Sequence, residues 1–199
     1  MVRQVEFEAP SWSKIYSMLL AQAERIRSSG FKPDVIVGVS RGGWLPARVL
    51  SDLLENPSVA SVRAEFYVGI GETRCEPKLT QAVSVVVAGK RVLVVDEVDD
   101  SGESLKLVNA HIRELGAAEV RVATLYHKPE SAVKPDYYGS EVTKWIVFPW
   151  EIKETVRKIW EKHKNQQNTE KTLDKLAAAG VPKRLIDRFL KELREAKAC

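Results

Sequence analysis

The sequence predicts an α/β fold: a mainly parallel, twisted sheet with helices on both faces, followed by a C-terminal three-helix bundle. Two observations carry the first half. Short apolar runs such as Asp34–Val39 and Arg91–Val95 have the length of strands. They alternate with segments whose apolar residues recur every three to four positions, as strands joined by crossover helices do. The third observation concerns the end of the chain. After Pro149 strand signals stop and three helical segments follow.

Taken in order, Ser11–Ser29 predicts an amphipathic helix with Ile15, Met18, Leu19, Ala23 and Ile26 on one face and Gly30 as its stop. Asp34–Val39 is a short apolar strand and Trp44–Leu54 the helix after it. Ser61–Val68 alternates Val62, Ala64, Phe66 and Val68, the pattern of a half-buried strand. Residues 69–82, with two glycines, a proline and no helical period, predict a mobile loop. Arg91–Val95 is the third strong strand, Ser104–Leu115 its helix, and Val120–Tyr126 the fourth strand. Segment 127–144 is rich in turn residues, and Trp145–Val147 ends the sheet. The tail helices are Ile152–His163, Thr169–Ala179 and Pro182–Ala196, with proline suited to a first helical position. Residues 1–150 are therefore expected to form the core and 151–199 a helical extension.

The chain has 199 residues, 44% of them hydrophobic, enough for a substantial core. No apolar run approaches the ~18 residues that a membrane span needs, and the N-terminus lacks the apolar segment of a secretory signal. Cys75 and Cys199 suggest neither a disulfide framework nor a metal cluster, so a reducing cytoplasm is the expected compartment. The net charge of +4 is unevenly placed. Residues 151–199 hold thirteen Lys/Arg against eight Asp/Glu, leaving eighteen against nineteen elsewhere. The tail's basic residues alternate with acids, as in Lys191–Glu192 and Arg194–Glu195, which favours a solvated helical face over nucleic-acid binding.

Residues 91–105, RVLVVDEVDDSGESL, are the most informative about function. An apolar strand breaks into four acids, Asp96, Glu97, Asp99 and Asp100, then into a small polar turn that opens a helix. The helix start offers free backbone N–H groups to a phosphate, while the acids can engage hydroxyls or a metal ion. Acids this close are unfavourable without cations. An acidic strand end also occurs in P-loop NTPases, but no G-x-x-x-x-G-K-[ST] is present, and no G-x-G-x-x-G supports dinucleotide binding. Gly38, Ser40 and Gly42 satisfy G-x-S-x-G, which would make Ser40 a hydrolase nucleophile with His127 or His163 as partner. That alternative leaves the acids at 96–100 unexplained.

The 91–105 segment closely resembles the PRPP-binding motif of type I phosphoribosyltransferases, in which two acids close a hydrophobic strand before a D-[ST]-G-x-[ST] turn. Here Ser101 and Ser104 stand where threonines are frequent, and Glu103 occupies the variable position. Ser40–Arg41–Gly42–Gly43 resembles the pyrophosphate loop of 6-oxopurine phosphoribosyltransferases, where the peptide corresponding to Ser40–Arg41 is often cis. Lys128–Pro129, Trp145–Ile146 and Pro149–Trp150–Glu151 follow in the order seen in bacterial xanthine-guanine phosphoribosyltransferases. The C-terminal helical extension resembles instead the adenine phosphoribosyltransferases of crenarchaea, in which it lies near the nucleobase pocket.

The resemblance implies the type I phosphoribosyltransferase fold and transfer of ribose 5-phosphate from PRPP to N9 of a purine. Products would be the nucleoside monophosphate and pyrophosphate. Asp96 and Glu97 would hold the ribose hydroxyls, with Mg²⁺ mainly on PRPP oxygens and possible contact to these acids through water. Asp100, Ser101, Gly102, Glu103 and Ser104 would cradle the 5-phosphate, and Asp100 would also manage the proton at purine N7. Ser40, Arg41, Gly42 and the loop residue Arg74 would hold pyrophosphate. Lys128, Trp145 and Ile146 would contact the purine. The tail tilts the expected base towards adenine, with a 6-oxopurine as the alternative, which Lys128 favours because an ammonium donates well to an oxo group. A homodimer is the expected assembly. A PRPP-sensing regulator that binds nucleic acid is the alternative of another class.

Overall fold

The computed structural model describes residues 6–68, 75–162 and 166–196. In chain order the elements are β1 (Phe7–Glu8), α1 (Trp12–Ser28), β2 (Val35–Ser40), α2 (Trp44–Leu53), β3 (Val59–Val68), β4 (Cys75–Gln81) and β5 (Arg91–Asp99). There follow α3 (Glu103–Glu114), β6 (Glu119–His127), β7 (Tyr137–Glu141), β8 (Trp145–Ile146), α4 (Ile152–Lys162), α5 (Gln166–Ala178) and α6 (Lys183–Ala196). They group into two compact units. One runs from Tyr16 to Thr143, and the other joins residues up to Ile15 with those from Lys144 onward.

The first unit is built on a six-stranded sheet of order β4-β3-β2-β5-β6-β7. Every pairing is parallel except β3 with β4. The central strands are apolar along their length because both faces are covered. Leu105, Val108 and Ile112 of α3 pack with Val35, Val37, Val92, Val94, Val120 and Val122. Ile36, Leu93 and Val95 alternate with these, are equally buried and face the opposite side. Helix α2 packs on β2 and β5. Helix α1 is fastened to the far side of the sheet by Gln22, whose amide donates to the Thr124 carbonyl. The expected α/β class and parallel sheet are present.

Three parts of the sheet differ from expectation. Cys75–Gln81, expected as part of a loop, forms β4, antiparallel to β3 at the sheet edge. Pro77 is compatible with that place because an edge strand leaves one row of backbone groups unpaired. Tyr137–Glu141, within the turn-rich segment, pairs with β6 as a parallel edge strand. Strand β5 continues past Val95 to Asp99, its ladder to β6 extending to Asp99↔His127. Asp96, Glu97 and Asp99 therefore lie within the strand end, and Asp100 follows it in the turn.

The second unit contains the three tail helices and the short parallel pair of β1 with β8, in register Phe7↔Trp145 and Glu8↔Ile146. Val147, Val156, Ile159, Leu173, Leu176, Val181 and Ile186 are its core, flanked by Phe7, Ala9, Phe189, Leu190 and Leu193. Ile186, Phe189, Leu190 and Leu193 thus give α6 an apolar face that packs into this core. Trp150 stacks on Phe148 at 4.8 Å and meets Trp12 at 5.4 Å between ring centroids. This grouping draws the N-terminal segment and residues 144–150 together with the tail, a different division from 1–150 and 151–199. The strand pairing of Phe7–Glu8 with Trp145–Ile146 explains why. The tail's cations are interleaved with acids, as in Lys153–Glu192 at 2.5 Å, Arg188–Glu192 at 3.0 Å and Lys158–Glu154 at 2.9 Å. Among the described residues no helix is long and apolar enough to cross a membrane.

Leu176 is fully buried at the centre of the helical unit. Leu176→Ala should destabilise the protein by ~2–5 kcal/mol, the usual loss for a buried leucine that leaves a cavity. Urea unfolding followed by circular dichroism checks this.

Candidate active site

Parallel strands β2 and β5 are neighbours, paired from Val35↔Val92 to Gly38↔Val95. Their C-terminal ends emerge side by side, so the 40–43 turn and the acids after Val95 share one edge of the sheet. Ligands of open α/β sheets bind there, beyond the carboxyl ends of the strands. The two turns touch at Gly42, where a Cβ would fall 1.2 Å from Glu97 Oε2. A side chain at position 42 would have to displace that carboxylate. The Ser40–Arg41 peptide is cis, at the bond the resemblance implied.

Asp96 and Glu97 border a cavity of about 230 Å³ whose lining also includes Asp100, Ser101, Gly102 and Ser104. Asp96 Oδ1 accepts the Glu97 backbone N–H at 2.8 Å. Burial pushes the Asp96 carboxyl well above its ordinary value, and the Glu97 charge adds to the rise, against the lowering effect of that N–H and with a further push from Asp99. Ionisation of Asp96 is therefore opposed in this partly desolvated place.

Beyond the acids the chain turns through Gly102, whose φ of +80° is readily adopted by glycine, and enters α3 at Glu103. The Ser101 hydroxyl accepts the Glu103 N–H at 3.4 Å. The N–H groups of the first helical turn have no acceptor within the helix and point out of its start. Small side chains and backbone donors at a helix N-terminus are the chemistry that suits a phosphate.

Asp99 behaves differently from the other three acids. Its side chain is fully buried; Oδ2 lies 2.7 Å from His127 Nδ1 and Oδ1 accepts the Ser131 hydroxyl at 2.6 Å. Asp100, largely exposed, pairs through Oδ1 with Lys128 Nζ at 2.8 Å. The Lys128 side chain is 12% exposed, so its ammonium is held in place beside that carboxylate.

The family model for the phosphoribosyl transferase domain matches residues 12–157. The chain belongs to the phosphoribosyltransferases. A xanthine-guanine phosphoribosyltransferase of Gluconobacter oxydans is 32% identical over 151 residues, covering 74% of this chain and 86% of that protein. The solved purine phosphoribosyltransferase of Pyrococcus horikoshii is 38% identical, with a TM-score of 0.67 over 73% of this chain and 94% of that one. A protein of Neisseria gonorrhoeae solved with bound ppGpp is 32% identical, with a TM-score of 0.66 over 75% and 91%. The chain is a purine phosphoribosyltransferase of type I, and the type I fold is the one described above.

In this phosphoribosyltransferase the structure brings together Ser40, Arg41 and Gly42 with Asp96 and Glu97, and these with the Asp100–Ser104 turn. Lys128 joins them through Asp100. Glu103 is exposed in the first turn of α3. Trp145, 51% exposed, and Ile146, buried, belong to the helical unit as strand β8. Arg74 lies outside the described residues. Among the described residues no group of three or more His, Cys, Asp or Glu side chains could hold a metal ion. Two hard carboxylates beside the cavity, one with its ionisation opposed by the other, do suit a cation that keeps most of its waters. Sequence reasoning missed Asp99, His127 and Ser131 as a group. The available signal was Asp99 itself, a carboxylate in register with a histidine where two buried strands end.

The raised pKa of Asp96 has a stability consequence of definite sign. The unfolded chain releases this proton near ~3.9, and the folded chain does so at higher pH. The stability associated with the neutral acid is present below the unfolded value and lost as pH rises through the folded value. Asp96→Asn should therefore raise the melting temperature of the ligand-free protein at pH 7 while lowering kcat/KM for PRPP. The stability difference should close as pH falls to about 4, readable by melting the two proteins across a pH series.

Proposed function

We propose that the enzyme transfers ribose 5-phosphate from PRPP to N9 of a 6-oxopurine, releasing pyrophosphate. The observation that carries the choice of base is the Lys128–Asp100 pair, a fixed cation donor beside a carboxylate acceptor. A 6-oxopurine protonated at N7 presents an acceptor, O6, next to a donor, N7–H, and matches that polarity. Adenine presents its amino donor at position 6 and would set it against an ammonium. Xanthine-guanine specificity in the name of the Gluconobacter relative and the guanine nucleotide in the Neisseria structure support the same reading. The leaning towards adenine rested on tail architecture alone and gives way to it.

Bond breaking to the pyrophosphate builds positive charge on the ribose, so catalysis is mainly positioning and electrostatics. Asp96 and Glu97 accept the ribose hydroxyls and supply negative charge on that side. The Ser101–Ser104 turn and the start of α3 hold the 5-phosphate through N–H and hydroxyl groups. Arg41 and the backbone of the 40–43 turn hold the leaving pyrophosphate. Asp100 takes the N7 proton as N9 attacks, and Lys128 donates to O6. Trp145 and Ile146 keep their purine role from the order of motifs in the sequence. Asp96 and Glu97 would hold a PRPP-bound Mg²⁺ through its waters, and the ion would supply neutralisation of phosphate charge.

Parallel turnover with PRPP, Mg²⁺ and guanine, xanthine, hypoxanthine or adenine tests the reading. We expect kcat/KM for the best 6-oxopurine to exceed that for adenine by at least ~10²-fold, and EDTA to stop turnover. Adenine as the best substrate would sink the assignment. Asp100→Asn should lower kcat by ~10²–10⁴-fold with a modest change in PRPP affinity by calorimetry. Ser40→Ala should retain substantial transferase activity, since a turn that binds through its backbone does not use the hydroxyl as a nucleophile.

A further inference from the structure

Asp99 has no part in the chemistry just proposed, yet its carboxylate sits fully buried among the residues that do. A buried carboxylate persists where its oxygens are satisfied. Both partners of Asp99 lie in one stretch of chain, the segment that carries Lys128. Since an ionised carboxylate can only accept, His127 donates from Nδ1 to Oδ2 at 2.7 Å, and the Ser131 hydroxyl donates to Oδ1 at 2.6 Å.

The backbone repeats the attachment. The Lys128 N–H reaches the Asp99 carbonyl at 2.9 Å, and the Ala132 N–H reaches the Ser101 carbonyl at 3.1 Å. The Ser131 hydroxyl also accepts the Val133 N–H at 3.2 Å, which fixes the hydroxyl in the turn. At Gly102 a Cβ would fall 2.6 Å from Ser131 Oγ and 2.8 Å from Val133 N, so the phosphate turn and this segment are in direct contact. Joining strands β5 and β6 does not require these side chains, because the ladder already runs to Asp99↔His127. The Ser131 bond goes beyond the sheet, to the turn that follows Lys128.

We propose that Asp99, His127 and Ser131 are positioning residues that lock the Lys128 segment onto the Asp99–Gly102 turn. They thereby set where the Lys128 ammonium stands relative to Asp100 and govern recognition at the purine 6-position. The inference rests on the reading of Lys128 as the 6-oxo donor. It makes Asp99 a separate functional type from its neighbours: Asp96, Glu97 and Asp100 face substrate, and Asp99 faces the protein. The ring of Tyr138, with its centroid 5.1 Å from that of His127, backs the imidazole.

The test compares Ser131→Ala, His127→Ala, His127→Asn and Lys128→Ala in the full-length enzyme, with KM and kcat measured separately for guanine and for PRPP, and thermal melts alongside. Ser131→Ala and His127→Ala should raise the guanine KM about tenfold, the scale of one hydrogen bond to a charged group, with the PRPP KM within about threefold of wild type. His127→Asn, whose amide can donate from near the Nδ1 position, should recover most of the loss. Adding Ser131→Ala to Lys128→Ala should raise the guanine KM little further, because both act through one ammonium. Lower melting temperatures with an unchanged guanine KM in both Ser131→Ala and His127→Ala would overturn the inference and leave a purely structural link. A guanine KM unaffected by Lys128→Ala would overturn the assignment of the lysine, and the positioning role with it. If His127→Ala does not fold, Ser131→Ala alone decides between these outcomes.

Discussion

Strand β5 has to stay paired on both sides while its side chains change from valine to carboxylate, and the site follows from how that conflict is settled. Four acids in five positions cannot share one environment, because close like charges oppose one another's ionisation. Each is treated differently. Asp96 is held by a backbone N–H in a desolvated place where its proton is retained more strongly. Glu97 lies against Gly42 of the neighbouring turn. Asp99 turns inward to His127 and Ser131, and Asp100 outward to Lys128. Asp96 and Glu97, which border the cavity, are what a substrate bearing hydroxyls and a bound cation would meet.

Much of this was legible in the sequence. The order of apolar strand, acids, small polar turn and helix is present as read, because each step has a local cause: valines pair, glycine permits the turn, and a helix starts after it. The 40–43 turn was legible for the same reason. What could not be read depends on partners distant in sequence. Strand β4 contains Pro77 and lacks an apolar run, and it exists because β3 offers an edge to pair with. Asp99 looked like one more member of an acidic cluster, since its burial depends on a histidine 28 residues away. Strand β1, two residues long, has no local signal at all and forms on Trp145–Ile146.

The choice of base illustrates how local polarity and architecture differ as evidence. A C-terminal helical extension says that additional chain is present but supplies no donor or acceptor by itself. A lysine ammonium held against a carboxylate defines a direction, donor on one side and acceptor on the other, that a ligand edge must complement. A 6-amino group set against the Lys128 ammonium would leave two donors facing each other, so in the proposed function this pair favours an oxo over an amino substituent. For the proposed choice of base, the polarity at Lys128 and Asp100 therefore weighs more than the presence of the tail.

The helical unit also changes what removing the tail would mean. Its core is shared between residues near the two ends of the chain: Phe7 and Ala9 pack with Val147, Leu176 and Val181. Chain ending at Glu151 would therefore leave Phe7, Ala9 and Val147 without the helices that cover them, and the β1–β8 pair, two residues per strand, would lose its support. Trp145 and Ile146 lie in that pair. Any change in purine kinetics after truncation would mix loss of the tail with disorder of β8 itself. Substitutions inside the tail core, where the backbone of β8 keeps its partner, separate the two causes. The extension is then best understood as the part of the fold that holds a short strand bearing a tryptophan, with the N-terminal segment as its other half.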